Sequence, residues 1–242
     1  LYSEFARKAS ARKNAFRFSD SPTLRSLSME EHLKATPLGR AVPRPPLIIR
    51  HGANLPHWRR AGATYSVTFR LADSLPASVL RAWKIERAEI IQRAESMGRP
   101  LTTFEEKRLD DLHSERIENW LDQGHGSCAL RQPGIAEMVA NALRFFDGDR
   151  YELHAWCIMP NHVHAVLKSS PAHDISKILL SWKGFTGDQY RKSTSTRGEF
   201  WQKESYDHIV RNKDDLANQI RYVVNNPKKA GLVDWPWVWR RP

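Results

Sequence analysis

The stretch from Tyr151 to Lys168, YELHAWCIMPNHVHAVLK, constrains the fold more than any other part of the chain. Two apolar runs, Leu153–Met159 and Val163–Leu167, are joined by Pro160-Asn161, the pattern of a strand hairpin. Strand side chains alternate between faces, so residues two apart point the same way. His162 and His164 are therefore expected side by side, with Val163 and Ala165 on the opposite face. Two neutral imidazoles at that spacing form a ligand pair for a divalent metal. The competing reading is a pair of surface histidines beside a turn. His154, in the first run, is a third imidazole, either close to the pair or simply a packed strand residue.

With 242 residues, the chain suits one domain with extensions, or two small ones. No apolar run approaches a membrane span, and the polar, basic first residues predict no signal peptide. Cys128 and Cys157 cannot make a disulfide framework and read as reduced core thiols. The expected location is the cytoplasm, at the nucleoid when bound to DNA. Net charge is +11, and residues 1–60 carry +8 of it, with twelve Lys/Arg against four Asp/Glu. So uneven a charge predicts a polyanionic partner, of which nucleic acid is the usual one. A solubilising tail or a membrane-surface patch is the alternative.

Residues 1–55 read as a basic, irregular arm. Arg40–Pro46 is too proline-rich for regular structure, although Ser28 and Glu31 have capping-box spacing. Order is expected from His57-Trp58-Arg59-Arg60. Residues 63–71 then alternate as a half-buried strand, with Tyr65, Val67, Phe69 and Leu71 on one face. Two charged helices follow at about 78–123. Pro76 suits the first helical position of one, Arg87 interrupts its apolar stripe, and Thr103 with Glu106 reads as a capping box for the other. A third helix spans Gly134–Phe146. After the hairpin, Asp174 caps a helix from Ile175 to about Arg191, Tyr206–Val210 reads as extended, and a last helix spans Lys213–Asn225, ended by Asn226-Pro227. Without the charged helices, the order is that of an α+β fold. A ferredoxin-like antiparallel sheet with helices packed on one face, plus an added C-terminal helix, is the natural arrangement.

The last helix holds Arg221-Tyr222-Val223-Val224-Asn225-Asn226, which sets Tyr222 and Asn226 four apart on one face. An interface tyrosine with a C-capping asparagine would look the same. Yet MPNHVHAVL, then FWQKESYDHIVRN, then IRYVVNNPKKAGLV resemble, together and in this order, the REP-associated tyrosine transposases of the single-tyrosine HUH superfamily. The resemblance runs from about Leu55 to Trp237. It implies the histidine pair on a central strand, Tyr222 as the catalytic nucleophile on a late helix, and Asn226 completing a metal site with His162 and His164. Two departures stand out: the helical stretch at about 78–123 exceeds the minimal core, and the basic arm has no assignable motif.

The implied chemistry is coherent. A phenol is a weak nucleophile at neutral pH, with a pKa near ~10. A divalent ion would polarise the phosphate and offset developing charge. An amide oxygen and open coordination positions favour Mg²⁺ or Mn²⁺ over zinc. Attack by Tyr222 would leave a 5′-phosphotyrosine and a free 3′-OH, so the strand can be rejoined. Tyr206 and Tyr190 are rival phenols, and Tyr206 lacks an amide four residues on. The implied substrate is single-stranded DNA beside a hairpin-forming palindromic repeat. Arg59, Arg60, Lys177, Lys183, Arg211, Lys228 and Lys229 are candidate DNA-binding residues. Trp58 and Trp239 are candidates for stacking on bases, whereas Trp235 and Trp237 read first as a clamp on the sheet. The implied state is a monomer, with a dimer as alternative. Two other functions stay open: a DNA-binding protein that keeps the fold and no longer cuts, and a metal-dependent hydrolase with water as nucleophile.

Overall fold

The computed structural model describes residues 48–51, 56–112 and 117–242, within the unit Arg44–Pro242. The basic arm up to residue 47, its capping-box pair included, lies outside the described residues, as do positions 52–55 and 113–116. The first described element is a hairpin of β1 (Ile48–His51) and β2 (Pro56–Arg59), in which Ile48 pairs with Arg59. Sequence reading had placed 48–51 in the irregular arm, but the β-branched pair Ile48-Ile49 favours a strand there.

The core is a 5-stranded sheet in the order β6-β3-β5-β4-β7. Its members are β3 (Thr64–Arg70), β4 (Tyr151–Ile158), β5 (His162–Ser169), β6 (Tyr206–Ile209) and β7 (Val238–Arg240). All pairings are antiparallel. Helices α4 (Pro133–Arg144) and α5 (Ile175–Thr194) cross between β3 and β4 and between β5 and β6. That is the ferredoxin-like arrangement, extended at one edge by β7.

The predicted alternation along β3 holds: Tyr65, Val67, Phe69 and Leu71 are buried in one core with Val163, Ala165, Leu167 and the apolar stripes of α4 and α5. Each such side chain contributes about 1.5–3 kcal/mol by leaving water. Asp174 caps α5 by accepting from the Ser176 N–H at 2.8 Å. Pro133 begins α4, where its missing N–H costs nothing.

The opposite face is covered too, against the expectation of helices on one face only. There α6 (Lys213–Lys229) lies across Ala155, Cys157, Met159 and Val166 through Val223 and its neighbours. Alternation explains why a second cover is required: β5 is buried on both faces from His162 to Leu167. Helix α6 also outruns its predicted end, passing Asn226 and Pro227 to reach Lys229. Proline in a last turn forgoes one backbone hydrogen bond, and Pro227 is itself buried. Asn226 is consequently an interior helix residue rather than a C-cap, which is Ala230.

Between β3 and α4 lies the helical insertion: α1 (Ala77–Ser96), α2 (Thr103–Asp111) and α3 (Asn119–Asp122). Pro76 is the N-cap of α1, one position before the predicted place. The capping box of α2 is Thr102 with Glu105, not Thr103 with Glu106. The two boxes differ by one residue because threonine and glutamate are doubled here. Leu75, Trp83, Leu112, Ile117 and Leu121 form the insertion's own core. Arg87 lies inside the buried stripe of α1 rather than breaking it. Among the described residues, no helix is long and apolar enough to cross a membrane.

The tail packs on the sheet. Trp239 stacks on Trp156 at 6.5 Å, and the Trp235 indole donates to the Ile158 carbonyl at 2.7 Å. Arg241 holds Asp147 through two bonds of 2.8 and 2.9 Å. The clamp reading therefore covers Trp239 as well as Trp235 and Trp237.

Candidate active site

The site grows from the hairpin turn. After Ile158 the chain turns through Pro160-Asn161, and β5 begins with His162, opposite Arg70 of β3. His164 lies opposite Thr68 on β3 and Cys157 on β4. Both imidazoles thus project from the central strand toward the α6 face, as alternation requires. Both are essentially buried, at 0% and 2% exposure. Their rings meet edge to face at 4.6 Å, with the two Nε2 atoms 2.9 Å apart.

The outer nitrogens are held. Asn161 donates its amide N–H to the His125 carbonyl at 3.0 Å, which fixes its oxygen toward His162. His162 Nδ1 stands 2.8 Å from that oxygen and must carry the hydrogen that bridges them. The Nε2 of neutral His162 is then a bare lone pair, turned inward. His164 Nδ1 is 2.8 Å from the Thr68 hydroxyl, which accepts or donates as the imidazole tautomer demands. Burial holds both imidazoles below their ordinary basicity, His162 far below and His164 at about 3, with the Lys229 ammonium acting in the same sense. Both rings are therefore neutral at neutral pH, so a cation at the inner nitrogens would displace at most the hydrogen His164 shares with His162.

Helix α6 brings the third donor. Asn212 caps its start by accepting from the Asp215 N–H at 2.9 Å, and Asp214 and Asp215 complement the helix dipole in the first turn. About three turns on, the Asn226 amide lies 3.2 Å from His164 Nε2, and the Asn226 Oδ1 is buried without a hydrogen-bond partner. Two ligand atoms at right angles on an ion about 2.1 Å away would be about 3.0 Å apart. The separations of 2.9 and 3.2 Å fit that spacing, and turning the amide over would present its oxygen. Among the described residues, no group of three or more His, Cys, Asp and Glu could hold a metal ion. The donor set that fits one is two imidazoles with an amide oxygen.

One turn before Asn226 on the same helix face, the Tyr222 ring meets His164 edge to face at 5.6 Å. Its hydroxyl donates to Glu118 Oε2, at the start of α3. Burial, and then the neighbouring Glu118 carboxylate, raise the Tyr222 pKa; burial also raises that of Glu118. One turn after Glu118 and two turns after Tyr222, Lys229 Nζ lies 3.3 Å from Asp122 Oδ2 and 5.9 Å from the Tyr222 ring.

The rival residues are placed elsewhere. Tyr190 stacks on Phe200 at 4.0 Å, against the core. Tyr206 pairs with Thr68 on β6, two strands from β5 and so about 10 Å across the sheet. His208 faces Asp215 at 3.6 Å. His154 marks a bulge between Leu153 and Ala155, far along β4 from the pair.

The basic residues divide. Lys177, Arg211, Lys228 and Lys229 are exposed, though Lys229 is paired with Asp122. Lys183 is turned inward, donating to the Lys203 carbonyl at 2.7 Å and Ser205 Oγ at 3.2 Å, and burial lowers its pKa to about 8. Arg60 is half-buried beside the Tyr65 hydroxyl, and the Arg59 side chain lies outside the described residues.

Sequence reasoning missed Asn161 and Glu118. Asn161 read as a turn residue, although an amide directly before the histidine pair is a visible hint. Glu118 lies 104 residues from Tyr222, on a charged stretch with no signal to single it out.

Residues 133–226 match the family "Transposase IS200 like". A putative REP-associated tyrosine transposase of Haemophilus influenzae is 31% identical over 101 residues, covering 36% of this chain and 57% of that protein. A REP-associated tyrosine transposase of Escherichia coli is 26% identical over 106 residues, covering 42% and 62%. The chain thus spans about three fifths of the length of these curated relatives. A solved REP-associated tyrosine transposase, bound to a REP hairpin, superposes with a TM-score of 0.43 at 18% identity, over 76% of this chain and 82% of that one. By sequence, the chain is similar to the REP-associated tyrosine transposases, and the segment that matches the IS200-like family runs from α4 through the histidine hairpin to Asn226.

Proposed function

We propose that the chain cuts and rejoins single-stranded DNA through a covalent 5′-phosphotyrosine on Tyr222, assisted by Mg²⁺ or Mn²⁺. One observation supports this reading: two inward imidazole nitrogens, the Asn226 amide, whose oxygen is buried without a partner, and a phenol lie in one cluster on the face of β5. His162, His164 and Asn226 would hold the ion. When bound, it would supply Lewis acidity to a phosphate oxygen.

The chain's own groups do the rest. Asn161 and Thr68 hold the outer nitrogens, so both Nε2 atoms face inward, and Asn161 leaves that of His162 a bare lone pair. Helix α6 holds the Tyr222 ring against His164, which limits the directions from which its oxygen can meet phosphorus. Bond formation from the phenol oxygen to phosphorus releases the 3′ oxygen, which takes a proton from water. The new ester keeps the energy of the old, so a returning 3′-OH reverses the step. By the names of its relatives, the DNA would be a REP element, read here as a hairpin with a single-stranded flank. Lys177, Arg211 and Lys228 are exposed and would contact its phosphates.

The test is incubation with hairpin oligonucleotides and Mn²⁺, then a denaturing gel. The expected result is a protein–DNA adduct that is lost in Tyr222→Phe and in His162→Ala/His164→Ala, and kept in Tyr206→Phe. Binding without cleavage returns the chain to the non-cutting reading, and cleavage without an adduct makes it a hydrolase.

A further inference from the structure

The helical insertion, outside the segment shared with the IS200-like family, touches the candidate nucleophile directly. We infer that Glu118 is the proton acceptor for Tyr222, so that the insertion completes the active site. This rests on the reading of Tyr222 as nucleophile.

Three observations support it. The Tyr222 hydroxyl already donates to Glu118 Oε2, so the proton has its path before the substrate arrives. The carboxylate is also anchored. Four residues on, Asp122 pairs with Lys229 at 3.3 Å, and Lys229 lies seven residues beyond Tyr222. Two contacts two turns apart on α6 therefore fix the insertion over the nucleophile helix, with Ile117 and Leu121 buried behind them. Finally, the nearby imidazoles face other partners: the Nε2 atoms of His162 and His164 meet each other at 2.9 Å, and His208 faces Asp215.

The step balances. The phenolic O–H bond breaks as the Tyr222 oxygen bonds phosphorus, and the hydrogen passes to Glu118 as a proton. The bond from phosphorus to the 3′ oxygen breaks with its electron pair on that oxygen, which is protonated by water. On rejoining, the 3′-OH loses its proton to water, and Glu118 returns its own to the departing tyrosine oxygen. One group acts as base in one direction and acid in the other.

The experiment measures single-turnover adduct formation by the full chain, with Mn²⁺ and a hairpin oligonucleotide carrying a single-stranded flank. Glu118→Gln keeps an oxygen to accept the hydrogen bond but cannot take the proton. Its rate should fall by about 100- to 10,000-fold, with hairpin and Mn²⁺ affinities unchanged. Glu118→Asp should recover part of that loss. Placing 3,5-difluorotyrosine at position 222, whose phenol ionises far more readily, should restore most of the Glu118→Gln rate. A full-rate Glu118→Gln variant overturns the inference, as does a slow one that difluorotyrosine fails to rescue, since Glu118 would then only position the ring. Tyr222→Phe separates the two readings: if it still forms an adduct, the nucleophile assignment has failed, whatever Glu118 does.

Discussion

Replacing Asn161 by leucine tests how much of the proposed metal site is built by residues that would never touch the ion. Asn161 is fully buried and leucine is close to it in size, so the change removes two hydrogen bonds and little volume. The His162 Nδ1–H loses its acceptor at 2.8 Å, and the His125 carbonyl loses its donor at 3.0 Å. Each buried group left unpaired costs about 1–3 kcal/mol. Leucine's apolar side chain offsets part of this, for a net loss of about 2–4 kcal/mol of stability. His162 is also freed to move its hydrogen to Nε2, which would block the inward lone pair. Loss of such a supporting bond typically weakens metal binding about 10- to 100-fold. That is about 1.4–2.8 kcal/mol of binding free energy. Calorimetric titration with Mn²⁺ reads the affinity, and thermal melts with and without Mn²⁺ read the stability. A variant that melts earlier yet binds Mn²⁺ within twofold of the parent would refute the argument that Asn161 sets the tautomer of His162.

Further outcomes follow from the same geometry. The buried imidazoles have folded-state pKa values below the unfolded value, His164 at about 3. The unfolded chain therefore binds more protons below about pH 6.5. In metal-free protein, stability should be complete above that pH and fall toward pH 4, by up to about 1.4 kcal/mol per pH unit for each imidazole. Chemical denaturation across pH should show a flatter profile in His162→Leu/His164→Leu. Gly126→Ala should lower both the melting temperature and Mn²⁺ affinity: Gly126 has φ +85° and an added Cβ would lie 2.5 Å from the Asp73 carbonyl oxygen, in the loop that carries the His125 carbonyl. An unchanged melting curve would refute this. Lys183→Ala should destabilise the fold by about 1–2 kcal/mol and leave the salt slope of DNA binding alone. Lys177→Ala and Lys228→Ala should each reduce that slope by about one unit, read by fluorescence anisotropy at several salt concentrations.

Much of the fold was legible because the sheet alternates cleanly. Tyr65 to Leu71 and the two runs around Pro160 fixed three strands, and alternation alone put His162 beside His164. The capping aspartate at 174 and the acidic first turn of α6 marked where helices begin. What stayed hidden depends on tertiary partners. Pro227 reads as a helix stop, but packing carries α6 one turn further. Arg87 reads as an interruption, yet it is buried beside the charge of Glu204. A cover on the second face was required by β5 itself, whose polar histidines look solvent-facing in sequence. Glu118 could not be found, since its role exists only where a charged helix meets another 104 residues away.

The bulge at His154 has a consequence for fidelity of folding. The Arg241 N–H donates to the His154 carbonyl at 2.8 Å and its side chain to the Leu153 carbonyl at 2.7 Å, so the last residues staple the one place where β4 breaks step with β5. A slip of one residue there would exchange the faces of β5. It would drive two imidazoles into the aliphatic core and turn Val163 and Ala165 toward α6. Such a molecule would lose its packing and its donor set together. Strand register and the donor set are thereby coupled: a misaligned copy forfeits its packing and its cluster of imidazoles in the same step, and cannot persist as a stable fold without them.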